Sequence, residues 1–189
     1  MTTKETFLPA DYSLPKSGSS YTKLEKGKTK IRIVSAPLLG WIDWTEEEGK
    51  KKPLRFAYEN KPEPLNPAKP VKHFWAFKVW NYNVSAVQIL EITQATIQGA
   101  IKTLVESEDW GSPVDYDLTI ERTGDNLETK YQTTPTPPKD LTDEIQAKVE
   151  EVRVDLEKLL AGLDPFEFEE TSKEVDPDQE QVDLSEIGM

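Results

Sequence analysis

HFWAFKVWNYNVSAVQILEIT, residues His73 to Thr93, is the stretch on which the fold turns. Two runs rich in aromatic and β-branched residues flank a short polar break, Asn81 to Ser85, which is the pattern of a β-hairpin. Side chains alternate across a strand, so Trp75, Phe77 and Val79 point one way while Phe74, Ala76, Lys78, Trp80 and Tyr82 point the other. The first set is the expected core face. The second carries Lys78 among three rings. It reads either as a snorkelling lysine on a second, partly buried face or as a platform for an anionic, flat-ringed ligand.

Upstream of the hairpin, Lys28, Lys30 and Arg32 alternate with Thr29, Ile31 and Ile33, as in a half-buried strand with a basic outer face. Pro37 and Gly40 bend the chain before Trp41, Ile42 and Trp44 resume the extended pattern. One long first strand, sharply bent near its middle, is expected, with Trp41 and Trp44 as packing or covering residues. Residues 46 to 72 hold five prolines and no sustained period. Connections above roughly 12 to 15 residues inside a compact domain are usually functional or disordered. This one interleaves Lys50, Lys51, Lys52 and Arg55 with Phe56 and Tyr58, and ends at Lys72; it reads either as a solvated lysine run or as a binding loop.

Downstream, the period changes from 2 to 3.6. Ile97, Ile101, Leu104 and Val105 define one amphipathic helix, with Thr93 or Thr96 available to cap its start. Two more strands are expected. Tyr116, Leu118 and Ile120 face inward in the first, with Asp117, Thr119 and Glu121 outward. The second runs from Leu127 to Thr133, after a short turn at Gly124-Asp125-Asn126.

In order, these elements are strand, long loop, strand, strand, helix, strand, strand. Five strands with one helix between the third and the fourth is the order of the OB-fold, a small Greek-key β-barrel. That fold places ligands on its second and third strands and between the loops joining strands 1 to 2 and 4 to 5. Here those are the lysine-rich loop, the aromatic hairpin and the Gly124 turn. Single-stranded nucleic acid needs cations along a groove and rings on which bases stack, and both ingredients converge on that surface. The candidate contacts are Lys28, Lys30, Arg32, Lys50, Lys51, Lys52, Arg55, Phe56, Tyr58, Lys72, His73, Phe74, Lys78, Trp80, Tyr82, Arg122 and Lys130.

The net charge of −12 hides an uneven distribution. From Lys4 to Lys78, 15 Lys and Arg stand against 9 Asp and Glu, whereas from Asp140 to Met189 the counts are 4 and 17. A basic front is joined to an acidic rear. The 189 residues include no cysteine, which excludes disulfides, thiol chemistry and a cysteine zinc site. No apolar run approaches the roughly 20 residues of a membrane helix, and MTTKETFLPADYS lacks the form of an export signal. A soluble protein that is not secreted is therefore expected.

After Pro138, Leu141, Ile145, Val149, Val152, Leu156 and Leu160 form a stripe on an expected helix of roughly 20 residues, stopped by Gly162 and Asp164-Pro165. The division expected is a flexible arm over 1 to 27, a nucleic-acid-binding barrel over 28 to 138, a C-terminal helix over 139 to 163 and a disordered acidic tail over 164 to 189. The tail reads as a solubilising appendage or as a two-purpose one. In the second reading its charge occupies the basic groove when nucleic acid is absent, and Val182, Asp183, Leu184, Ile187 and Met189 engage another protein.

HFWAFKVWNYN, VQILEITQATIQGAI, DWGSPVDYDLTIERTGDNLETKYQ and the terminal DLSEIGM resemble segments of the OB-fold single-stranded DNA-binding proteins of tailed bacteriophages. The resemblance runs from about Thr29 to Pro138, with the character of the tail in addition. It implies a replication, recombination and repair accessory that coats exposed strands in the host cytoplasm. It also implies recruitment of replication or recombination proteins through the C-terminus, and leaves room for self-association on DNA. A zinc site present in one relative has no counterpart, since cysteine is absent and His73 is the single histidine.

Features of an enzyme are missing from the sequence: it has no phosphate-cradling glycine loop, no nucleophile elbow and no Cys/His pair. His73 reads as a strand residue flanking the groove rather than a general base. The acidic runs at Glu46-Glu47-Glu48 and Glu167-Glu169-Glu170 read as solvated charge, so neither a metal nor a cofactor is expected. The competing non-enzymatic reading is an acidic adaptor or DNA mimic with the barrel as scaffold.

Overall fold

The computed structural model describes residues 19–168. The first 18 residues of the expected arm lie outside them, as do residues 169–189 with the tail positions Val182, Asp183, Leu184, Ile187 and Met189. Seven strands, β1 (Gly27–Ile33), β2 (Leu38–Glu47), β3 (Lys50–Ala57), β4 (Lys72–Asn81), β5 (Ala86–Ile92), β6 (Asp117–Thr123) and β7 (Lys130–Pro135), form one mainly antiparallel sheet. Helix α1 (Ala95–Glu106) lies between β5 and β6, and α2 (Asp143–Glu151) follows the last strand.

Strand β4 organises the sheet. One edge pairs with β5, from Trp75 opposite Ile92 to Asn81 opposite Ala86. The other edge is shared: β2 pairs with its first half, from Leu38 opposite Ala76 to Ile42 opposite Lys72, and β1 with its end, from Ile31 opposite Asn81 to Ile33 opposite Val79. β1 and β2 therefore lie end to end as the expected bent strand. β1 passes on to β6, and β6 to β7. No ladder joins β5 to β7 among the described residues, so the sheet is open, with α1 packed beside β7.

Five strands were expected and seven form. The bend divides the first into two, and β3 arises within the long connection. Its sequence, KKKPLRFA, has no apolar alternation to announce it. β3 pairs only with β2, and an edge strand tolerates Pro53, which cannot donate to a ladder. The connecting turn is tight, because Glu48 (φ 51°) and Gly49 (φ 76°) both adopt the positive φ of a two-residue hairpin turn.

Two apolar layers result. Ile31, Ile33, Phe77, Val79, Leu90, Ile92, Ile97, Ile101, Tyr116, Leu118 and Ile120 form the larger, between one face of the sheet and α1. Each fully buried aliphatic side chain stabilises by roughly 1.5–3 kcal/mol. Ile42, Phe74, Ala76, Ile89 and Leu159 form the smaller, on the opposite face, with Tyr21, Leu38, Val154, Leu156, Leu160 and Phe166 packed against it.

This second layer changes two expectations. The C-terminal helix is not continuous: α2 ends at Glu151, the chain extends through the β-branched Val152 and Val154, and a 3-10 turn spans Leu156–Ala161. The extended break turns Val154, Leu156 and Leu159 onto the sheet. Gly162, in the left-handed conformation at φ 69°, ends the turn where expected. Part of the expected arm is also fixed, since Thr22 N donates to Ile89 O and Ile89 N to Ser20 O beside β5. On the other side of the sheet, α1 starts at Ala95 with Gln94 at its N-cap position and no side-chain cap, in place of Thr93 or Thr96.

Candidate nucleic-acid interface

The even-numbered face of β4 is closed. Phe74 is 0% exposed and Trp80 4%. The Lys78 ammonium donates to the Val149 carbonyl at the end of α2 (2.7 Å), and burial pushes its pKa below the usual value. Lys148 lies 5.8 Å from the centre of the Trp80 ring. The expected platform of Phe74, Lys78 and Trp80 is therefore packing against the C-terminal segment. The physical reason is that residues 145–166 bring enough apolar surface to cover a face that alternation alone leaves free.

Further along the same face the polar residues converge inward. Arg32, 2% exposed, donates through Nε to Asp117 at 2.8 Å and through its other nitrogens to the Val114 and Lys139 carbonyls. The Tyr82 hydroxyl donates to the same carboxylate oxygen at 2.9 Å. Lys30 and Lys139 each approach its other oxygen at 3.4 Å, and Lys30 lies 4.8 Å from the Tyr82 ring centre. Asp117, expected on the outer face, is thus the fully buried hub of a cationic cluster. Burial alone would raise its pKa, but the Tyr82 hydrogen bond, Arg32 and Lys139 hold it below the usual carboxylate value. Burial, then the bond to Asp117, push Tyr82 up to about 12. Arg32 cannot leave for a phosphate without stranding a buried carboxylate.

Other expected contacts are engaged as well. Arg55 pairs with Glu91 at 2.7 Å, and Arg122 donates to the Leu24 carbonyl. Lys28 and Lys130 are exposed but stand on β1 and β7, away from the hairpin of β2 and β3. Lys50, Lys51 and Lys52 are exposed on that hairpin, with Lys52 near Glu47 (3.4 Å). Lys51 and Lys72 line one groove together with Trp44 and Lys69.

The odd-numbered face behaves differently where α1 no longer covers it. Register places Trp41 opposite both His73 and Phe56, and Leu39 opposite Trp75. Side chains of one parity therefore form a row. Tyr58 and Trp41 stack with centroids 6.0 Å apart and planes 11° apart; Trp41 and His73 follow at 5.0 Å, and His73 and Trp75 at 6.5 Å. Tyr58 is 53% exposed, and Trp41, His73 and Trp75 are half-buried.

The row is held by hydrogen bonds at its polar atoms. Trp75 Nε1 can only donate, so His73 Nε2 accepts from it (3.0 Å), and the imidazole proton sits on Nδ1, which donates to Gly40 O (2.7 Å). Trp41 Nε1 donates to Tyr58 O (2.9 Å), and Gln98 of α1 donates to His73 O. Gly40 permits the arrangement: a Cβ there would lie 2.4 Å from the Phe56 carbonyl oxygen and 2.7 Å from the Phe74 ring. Lys61 lies 4.5 Å from the Trp41 ring centre, supplying a cation at the row itself.

Of the expected contacts, Phe56, Tyr58 and His73 are brought together at the base of the β2–β3 hairpin, whose tip carries Lys50, Lys51 and Lys52. Trp41, Trp75 and Lys61 were missed. Cross-strand alignment of Trp41 with His73 was the signal, and it required knowing that β2 pairs with β4. Among the described residues no group of three or more His, Asp or Glu is placed to hold a metal ion, and no helix is long and apolar enough to cross a membrane.

Comparison with known proteins gives one informative likeness. The chain is 27% identical, over 137 aligned residues, to the probable ssDNA-binding protein of Escherichia phage T5, covering 59% of this chain and 52% of the relative. The chain thus spans about half the length of the curated relative it matches. No family model matches, and no solved structure does.

Proposed function

We propose that this protein binds single-stranded DNA, with the row Tyr58–Trp41–His73–Trp75 as the stacking surface and the β2–β3 hairpin lysines neutralising phosphates. The observation that carries the reading is the row itself: rings in sequence, fixed by hydrogen bonds, with Tyr58 exposed, the other three half-buried and Lys61 beside Trp41. Each base stacked on such a ring contributes roughly 1–3 kcal/mol and does so for any base. The T5 relative, named a probable ssDNA-binding protein, supports the same class. The reading is of a binding protein, without catalysis.

The topology supports a modified OB-fold. With β1 and β2 counted as one bent strand and β3 as an arm of the first loop, five strands remain, with α1 between the third and the fourth. On this reading the protein coats exposed strands with little sequence preference during phage DNA replication, recombination and repair in the host cytoplasm. Its acidic C-terminal residues then recruit partners and compete for the cationic surface.

The test is a tryptophan-fluorescence titration with poly-dT and with duplex of equal length, at two salt concentrations. Emission should be quenched by poly-dT, with log affinity falling against log salt by about 0.7 per phosphate neutralised. An adaptor or DNA mimic would show neither quenching nor salt dependence.

A further inference from the structure

On the other face of the same hairpin, β2, β3 and the loop from Asn66 to Pro70 enclose a groove of about 740 Å³. Trp41 and Trp44 are three residues apart and so face opposite sides of β2. Trp44 is 52% exposed on the groove wall, although its strand neighbour Ile42 is buried. Lys51, Lys69 and Lys72 line the same groove. None of these three lysines lies within ion-pair distance of a carboxylate among the described residues.

The two acids of the wall, Asp43 and Glu46, offset the three lysines only in part. Asp43 is buried, and its two oxygens accept from the backbone N–H groups of Trp44 and Leu65, each at 2.8 Å. The second of these bonds ties the loop to β2, so the groove is formed before any ligand arrives. Glu46, opposite Lys51 in register, is the other acid that lines it. Three ammonium groups and one exposed indole in the same groove suit a ligand that is both flat and multiply anionic.

We infer that this groove is a second nucleotide subsite, taking one base against Trp44 and its flanking phosphates between Lys51, Lys69 and Lys72. The inference rests on the strand-binding reading above and extends it. A strand lying along the row on one face passes over the hairpin edge and is gripped again on the other, so the hairpin is clasped from both sides. Free nucleoside polyphosphates offer the same chemistry, and the test separates the two sources.

The experiment titrates the full-length protein with oligo-dT of fixed length and, separately, with a nucleoside triphosphate. Trp44→Ala should weaken oligo-dT binding by about 5- to 150-fold, while Trp44→Phe, which keeps a ring, retains most of it. Lys69→Ala with Lys72→Ala should reduce the salt slope by about 1.4. Glu46→Gln should tighten binding. If the Trp44 and lysine variants bind oligo-dT as the unsubstituted chain does while Tyr58→Ala is weakened, the subsite is overturned and strand binding stands. Saturable triphosphate binding, lost in Trp44→Ala, by a protein that ignores oligo-dT would overturn both in favour of a free-nucleotide site.

Discussion

The two faces of β4 carry similar side chains and meet opposite fates. Phe74 and Trp80 on one face are as aromatic as His73 and Trp75 on the other, yet the first pair is sealed and the second half-open. Intrinsic character does not separate them. What differs is the cover: Val154, Leu156, Leu159, Leu160 and Phe166 come from the far end of the chain to close the even face. On the odd face α1 places Ile97 and Ile101 over Phe77 and Val79, and at His73 it reaches only the backbone carbonyl, through Gln98, leaving the ring half-buried. An aromatic strand residue is thus core or platform according to which distant segment reaches it.

The sharpest way to break this comparison is to shorten one ring on each face. Phe74→Ala leaves a void within the smaller apolar layer and should cost about 3–5 kcal/mol of stability, read as a lower denaturant midpoint. The fraction that remains folded should bind oligo-dT with unaltered affinity. Tyr58→Ala should do the reverse, shifting stability by no more than about 0.5 kcal/mol while weakening binding by roughly 1–3 kcal/mol in a fluorescence titration. If Phe74→Ala folds normally and loses binding, the assignment of the faces is inverted.

The same contrast shows what could be read in advance. The bent first strand, the hairpin at Asn81 to Ser85 and the inward set Tyr116, Leu118 and Ile120 were legible, because alternation and turn chemistry are local. So was the stop at Gly162, although the chain beyond it still packs on the sheet through Phe166. The break after Glu151 was not: a stripe at helical spacing continues through Val152, Leu156 and Leu160, and only the geometry of the sheet beneath decides that Val154 faces it. β3 escaped because its residues are polar and its partner supplies the pattern. Arg32 and Asp117 alternate correctly as outward residues. They are buried because each is the other's partner, and pairing across strands cannot be seen along either one.

Charge sharpens the comparison at smaller amplitude. Residues 169 to 189 hold eight Asp and Glu against one Lys. Phe166 belongs to the second apolar layer, so a truncation meant to test competition must begin at Glu169 and spare it. Removing residues 169 to 189 should tighten oligo-dT binding several-fold at low salt, with the gain vanishing as salt screens both polyanions. Equal affinities at low salt would reject competition by this segment.

The smallest effect lies at the polar end of the sealed face, where Asp117 gathers Arg32, Lys30, Lys139 and Tyr82. Asp117 is held below the usual carboxylate value, so its contribution is present above about pH 3.9 and is lost only as pH falls through the lower folded value. Tyr82 titrates in the opposite sense. Its pKa is raised to about 12, so the folded chain retains a proton that the unfolded chain releases near pH 10; stability is full below that point and falls as pH rises toward 12. Burial also raises Tyr21 and Tyr116, which add alkaline sensitivity of their own. The informative quantity is therefore a difference. Between pH 9 and 11 the denaturant midpoint of Tyr82→Phe should decline less steeply than that of the unsubstituted chain, because the hydroxyl shared with Asp117 is gone. Parallel curves would mean that Tyr82 is solvated as freely as the open row and that the sealed face ends at Trp80.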